Sequence, residues 1–369
     1  MATMRGEAVD RPPVSFYEVG GWKMTPQPEN DFAVWNDPSW RPLEQLSEEK
    51  TDIIRMMGAK WKDGSDNGFG DNLKTEVWRE GPSEFTRKTI TVAGRTLTSL
   101  KRRDVDTYTV WTLKHFLSDA DDLKAYLQLP EPTVGEPDVS AMLAEEEALG
   151  ESGIVMVGAH DPICEAAKLF SMEDYTILAL TEQALFHELL QRCARTVFSQ
   201  CDKVSRVFPG RLWRVVGSEY ASEPYLPPAL YAEYVVRYTG EIVKLIQAHG
   251  GYARIHSHGN LRNILPHIAA MGADGLDPVE PPPQGDMELW EVRETIGKNM
   301  VLFGNLEATD LENLPTDQFE EKIKIALDEG TRGEGRGFVL MPSACPYGRT
   351  ITPRTMANYE AMVKLVDGN

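Results

Sequence analysis

Histidine and cysteine are scarce in this chain, seven and four in 369 residues. The cysteines, Cys164, Cys193, Cys201 and Cys345, form no CxxC pair. That excludes a thioredoxin-like redox motif and a disulfide-stapled scaffold, and it fits a reducing compartment. No run of 18 or more apolar residues occurs, which excludes a hydropathy-defined transmembrane helix. The opening segment MATMRGEAVDRPPV lacks the apolar core of a secretory leader, so a cytoplasmic location is expected. Basic residues number 38 against 57 acidic ones, a net charge of -19. Such a surplus of carboxylate repels nucleic acid and anionic membranes, and neither is expected as a partner. Repeats and low-complexity tracts are absent. No glycine-rich phosphate loop follows the first apolar strand, and RGEGRG at 332–337 precedes a strand instead of following one.

What remains is an ordinary globular composition, 41% hydrophobic and 26% charged, in a chain long enough to bury a large core. Residues 1–130 read as an irregular extension, rich in Trp, Pro, Gly and Asn, with one hairpin signal in KTITVAGRTLTSL, Lys88 to Leu100. From Gly153 onward short apolar runs alternate with helical patterns: GIVMVGAH, RLWRVVGSE, YARIHS, ADGLDP, NMVLFGN and GFVLMPS each precede a helix. That alternation means βαβ units and a parallel sheet. With at least six such units and no phosphate loop, the expected fold is a single (β/α)8 TIM barrel over residues 1–369.

Active sites of such barrels lie at the C-terminal ends of the strands. YARIH delivers His256 and His258, two residues apart and so on one face of a strand. The following runs deliver Asp277 and Glu280, then Asn305 with Glu307 beyond it, then Ser343 and Cys345; upstream, VVGSE delivers Glu219. Imidazole, thiolate and carboxylate together make a zinc donor set, so His256, His258, Cys345 and Glu280 are the expected ligands. Asp277 and Asn305 are candidates for holding the imidazoles. Equally, an HxH pair serves as an ordinary hydrogen-bonded polar cluster, and a lone cysteine as a small buried hydrophobe. The aromatic segment PPVSFYEVGGW either lines a substrate pocket or packs in a core. Tyr17, Asn305 and Tyr347 are the expected substrate contacts, and Glu219 and Glu280 the expected catalytic carboxylates.

The stretches HSHGNLRNILPHIAAMGADGLDP, VLFGNLEATDL and SACPYGRTITPRTMANYEAMV resemble the uroporphyrinogen decarboxylase superfamily. Within it they are most similar to the corrinoid-dependent methyltransferases related to the methylcobalamin:coenzyme M enzymes. The resemblance extends from GAHDPICEAAKLF to the C-terminus, and more faintly over VDTYTVWTLKHFLSDADDLKAYL. It implies a barrel with an N-terminal extension and a zinc motif of His, any residue, Cys and a distant Cys. His256 matches the histidine and Cys345 the distant cysteine, while His258 stands in place of the first cysteine. FYEVGGW carries no arginine where porphyrinogen decarboxylases hold substrate carboxylates, and SACPYG replaces their C-terminal histidine. Exchanging a thiolate for a neutral imidazole leaves zinc a stronger Lewis acid. That suits a methoxylated or similar donor whose methyl passes to a cob(I)alamin corrinoid carried on a separate protein. The expected function is therefore a zinc-dependent methyltransferase with a corrinoid-protein partner and a small methylated substrate; a homodimer is compatible with it. The alternatives are a metal-free decarboxylase-like lyase, a methylcobalamin:thiol methyltransferase, and a barrel that binds a small molecule without turnover.

Overall fold

The structure, a computed structural model, describes residues 1–62 and 68–368. Seven strands, Ile53–Met57, Gly153–His160, Leu212–Val216, Tyr252–Ser257, Gly275–Pro278, Val301–Leu306 and Phe338–Pro342, form one parallel sheet in chain order. The four runs from YARIH to FVLMP are adjacent and parallel, as their alternation with helices requires. The eighth regular strand of the expected barrel is not present among the described residues. Instead Pro13–Ser15 lies along the last strand, with Ser15 N donating to Leu340 O at 3.0 Å and Leu340 N to Pro13 O at 2.9 Å. The same segment reaches the first strand, where Asp52 N donates to Val14 O at 2.8 Å. The sheet is thus curled so far that three residues touch both of its edges.

The first strand, IIRMM, was not among the expected ones. Its apolar run is only five residues long and is interrupted by Arg55, whose Nε lies 2.9 Å from the Glu145 carboxylate. The N-terminal region is also more regular than its composition implies. Leu73–Glu80, Ser83–Val92, Arg95–Asp104 and Val110–Lys114 make a four-stranded antiparallel sheet. Its central hairpin turns at Ala93 and Gly94, both with positive φ, as AGR implies. The two outer strands are largely solvent-exposed. They carry no clean alternation of apolar and polar residues, which is the signal a half-buried strand would show.

Apolar surface is buried in two places. The larger cluster fills the space between sheet and helices and includes Phe186, Leu190, Ile242, Phe319 and Met362. The smaller lies inside the curl, where Ile54, Met156, Leu212, Val301, Phe303, Val339 and Met341 meet Met4 and Tyr17 from the N-terminal segment. Alternation along each strand separates the two sets. Arg254, His256 and Asp277 belong to the inward face and are buried there. The outer helices start where their residues dictate: Glu288 and Glu291 form a capping box at Leu289–Ile296, and Thr352 caps the N-terminus of Pro353–Asp367. Among the described residues no helix is long and apolar enough to cross a membrane.

Close packing of the inward strands is tightest at Gly304, where φ is +150° and an added Cβ would lie 1.9 Å from the carbonyl oxygen of Pro278. Backbone cannot yield as a flexible side chain does. Gly304→Ala is therefore expected to cost roughly 2–4 kcal/mol, seen as a lower Tm in thermal unfolding; an unchanged Tm would contradict this packing.

Candidate active site

The inward-facing residues of the Tyr252–Ser257 and Gly275–Pro278 strands meet at Asp277, which is wholly buried. One carboxylate oxygen lies 2.7 Å from His256 Nδ1, and the other lies 2.7 Å from Arg254 Nε. Arg254 is fully buried as well, with its guanidinium 4.5 Å above the Phe303 ring. A second pair follows two residues on, where His258 Nδ1 lies 2.7 Å from Glu280 Oε1 and the other Glu280 oxygen accepts from Gly259 N at 2.7 Å. The two imidazoles stand edge to face, their centroids 4.5 Å apart and their planes at 89°. Both face one spot, as the i, i+2 alternation requires. Tyr17 stacks on the other side of His256 at 6.4 Å, and the Arg214 guanidinium donates to its hydroxyl.

The two histidines have opposite electrostatic settings. Burial disfavours the charged form of His256 and, despite Asp277, brings its pKa down to about 3. Burial acts in the same direction on His258, but there the hydrogen bond and charge of Glu280 outweigh it and the pKa is raised. Asp277 is held well below the usual carboxylate range: burial opposes ionisation, and the Arg254 charge together with the hydrogen bond from His256 more than offsets it. Glu219, on the turn after the Leu212–Val216 strand, has its pKa raised by burial, and its Oε2 is buried without a partner.

Cys345 and Tyr347 sit elsewhere. The Cys345 backbone N–H donates to Glu18 at 3.4 Å, and burial, reinforced by the Glu18 carboxylate, pushes the thiol far up. Tyr347 is half exposed, with its N–H on Glu312. Asn305 is half buried at its strand end, and no side-chain hydrogen bond joins it to either histidine. Thus Glu219, His256, His258, Asp277, Glu280 and Tyr17 form one neighbourhood, and Cys345 and Tyr347 belong to a neighbouring acidic one. Glu307, just past Asn305, carries a carboxyl raised to about 7, by burial first and by the Glu280 charge second.

The donor set does not fit the expected four-ligand zinc. Among the described residues no group of three ligand atoms within 4.8 Å of one another includes His256, His258, Cys345 or Glu280, and Glu280 is engaged by His258 and Gly259. What remains are two imidazole Nε2 atoms, short of the three protein ligands of a catalytic zinc. Among the described residues one group of three ligand atoms lies within 4.8 Å of one another: His160, Cys164 and Glu165. It could hold a zinc ion, but Lys168 Nζ already stands 2.9 Å from His160 Nδ1 and 3.0 Å from Glu165.

His160, Glu165, Lys168 and Arg214 line a cavity of about 830 Å3 beside the histidine pair. These residues were missed from the sequence, although two signals point to them. His160 ends the run GIVMVGAH just as His256 ends YARIH. An arginine inside an apolar strand, as in LWRVV and ARIH, marks a polar position facing the curl.

A family model described as uroporphyrinogen decarboxylase matches residues 114–368. A methyltransferase from Methanosarcina mazei is similar in structure, with a TM-score of 0.60 at 16% identity, covering 100% of this chain and 96% of its own. A D-psicose 3-epimerase from Clostridium cellulolyticum H10 gives a TM-score of 0.36 at 10% identity over 62% of this chain and 81% of its own. No curated protein matches the sequence significantly.

The opposite settings of the histidines fix a pH signature. With His256 depressed to about 3, the unfolded chain takes up a proton near the ordinary histidine pKa of about 6.5 that the folded chain refuses, so stability falls as pH drops below that value. With His258 raised, the folded chain holds a proton longer, so its contribution is present below about 6.5 and is lost as pH rises through the folded value. In urea unfolding at a series of pH values, His256→Gln is expected to flatten the acid-side slope and His258→Gln the alkaline-side slope, each by up to about 1.4 kcal/mol per pH unit. Identical profiles for the two variants would contradict the assignment.

Proposed function

The chain belongs to the uroporphyrinogen decarboxylase family, and on that footing we propose that it is a methyltransferase moving a methyl group from a small methylated donor, with a methoxylated compound favoured, to a corrinoid protein. The fold shared with the Methanosarcina methyltransferase over the whole chain is consistent with this. The observation that carries the reading is the pair of carboxylate-held histidines with opposite charge preference at one spot. We read the curled sheet, with Pro13–Ser15 along both edges, as a closed barrel whose strand ends present that spot to a docking partner.

A methoxyl group is a poor donor because its oxygen leaves as an anion. His258, whose protonated form Glu280 stabilises, gives a proton from Nε2 to that oxygen as the carbon–oxygen bond breaks. This is general acid catalysis. Glu280 fixes the ring through Nδ1 and is itself fixed by the Gly259 N–H. His256 stays neutral, held by Asp277, and its free Nε2 positions the donor without adding a second positive charge. Glu219, neutral at low pH and buried without a partner for Oε2, offers a further polar contact. The corrinoid, on a separate protein, supplies the nucleophile for the methyl carbon.

The test is methyl transfer from methoxylated aromatics and methylamines to cob(I)alamin. The reading predicts turnover with at least one donor and a loss of roughly 10²–10⁴-fold in His258→Ala. The wild-type rate should fall as pH rises through the raised His258 pKa, because the deprotonated ring has no proton to give. Full activity in His258→Ala, or no transfer from any donor, would overturn it.

A further inference from the structure

The cavity beside the histidines has the opposite charge to the molecule that contains it. The chain carries 57 acidic and 38 basic residues, yet among the described residues the walls of the 830 Å3 cavity present Lys88, Lys101, Lys168, Arg192 and Arg214 against one carboxylate, that of Glu165. Two of the five cations are already engaged. Lys168 pairs with Glu165 at 3.0 Å, and Arg192 donates to the backbone carbonyls of Leu129, at 3.0 Å, and Pro130.

The other three, Lys88, Lys101 and Arg214, form no ion pair with another described residue. Lys88 faces Ser99 across the antiparallel sheet, and Lys101 lies two residues beyond Ser99 on the same face. The two ammonium groups are therefore diagonal neighbours, a placement that like charges disfavour. Neither forms an ion pair with another described residue. Arg214 gives one N–H to the Tyr17 hydroxyl, while its Nε is buried without a partner. A cleft lined by one sign of charge concentrates ligands of the other sign.

Part of the remaining wall is aromatic. The Phe69 ring lies 6.3 Å from both Phe116 and Tyr126, and Trp22 lines the same space. A small hydrated anion would leave those faces wet, whereas an uncharged ring would leave the three cations unmatched. We propose that this cavity binds an aromatic carboxylate, with the ring against the Phe69 face and the carboxylate drawn to Lys88, Lys101 and Arg214. This rests on the methyl-transfer reading for the ligand's identity as the methyl donor, but not for the binding itself. Tyr17 connects the two sites, since its hydroxyl meets Arg214 and its ring stacks on His256.

The test is isothermal titration calorimetry on the full chain with 4-methoxybenzoate, 4-methoxytoluene, 4-methoxybenzylammonium and inorganic phosphate. The expected result is that the carboxylate binds at least ~10-fold tighter than each of the other three, and more weakly as salt is raised. The double variant K88E/K101E should bind it at least ~10-fold more weakly, with an unchanged circular-dichroism spectrum and Tm, since both residues are exposed on a sheet face. Equal binding of the uncharged compound, equal binding of phosphate, an unaffected charge-reversed variant, or no binding of any ligand would overturn the proposal. A carboxylate that binds as expected but is not demethylated would overturn the methyl-transfer reading and leave this assignment standing.

Discussion

Asp277 is wholly buried, and two strands depend on its charge. From the Gly275–Pro278 strand it meets Arg254 and His256 of the neighbouring strand, each at 2.7 Å. Removing either cation-capable partner would leave a carboxylate in the interior of the sheet without its full compensation, a situation that costs several kcal/mol. The ion pair therefore fixes the register of two strands. It also fixes which His256 nitrogen is engaged, and so which one is free. The His258–Glu280 pair repeats the motif one step nearer solvent, with the ring partly exposed. Deeper burial and the Arg214 charge favour the neutral form of His256, whereas Glu280 favours the protonated form of His258. Two like groups pushed apart in pKa by their surroundings are how one site acquires separate acid and positioning roles.

Much of this was legible in the sequence. The alternation of apolar runs and helices gave a parallel sheet, and the i, i+2 spacing put both histidines on one face. Asp277 as the holder of an imidazole also followed from the strand order. Cys345 illustrates what was not legible. Its position after the Phe338–Pro342 strand places it at the correct end of the sheet, but only packing shows that it turns toward Glu18 of the N-terminal segment. The partner of a strand-end residue is a tertiary fact, supplied here from more than 300 positions away in the chain. Glu280 was read as a ligand because carboxylates bind zinc. Its two oxygens are instead taken by the ring nitrogen of His258 and the backbone N–H of the next residue, Gly259, geometry that spacing alone does not reveal. The outer strands of the antiparallel sheet escaped notice because they are solvated on both faces, and hydrophobic periodicity reports burial before it reports strand geometry.

The N-terminal region links fold to site. Pro13–Ser15 bonds to both edges of the curled sheet, Tyr17 follows within two residues to stack on His256, and the antiparallel sheet beyond supplies Lys88 and Lys101 to the cavity wall. The family model begins only at residue 114, so these contributions come from outside the matched region. The parallel sheet supplies the paired histidines, while the preceding segment shapes what reaches them.

The account turns on the claim that His256 and His258, with ring centroids only 4.5 Å apart, hold opposite charge states near neutral pH. Nitrogen-15 NMR of the imidazoles across a pH series measures this directly. The account predicts that His256 remains neutral and Nδ1-protonated down to about pH 3, while His258 is still substantially protonated above the ordinary histidine value. Two rings titrating together near that ordinary value would contradict it.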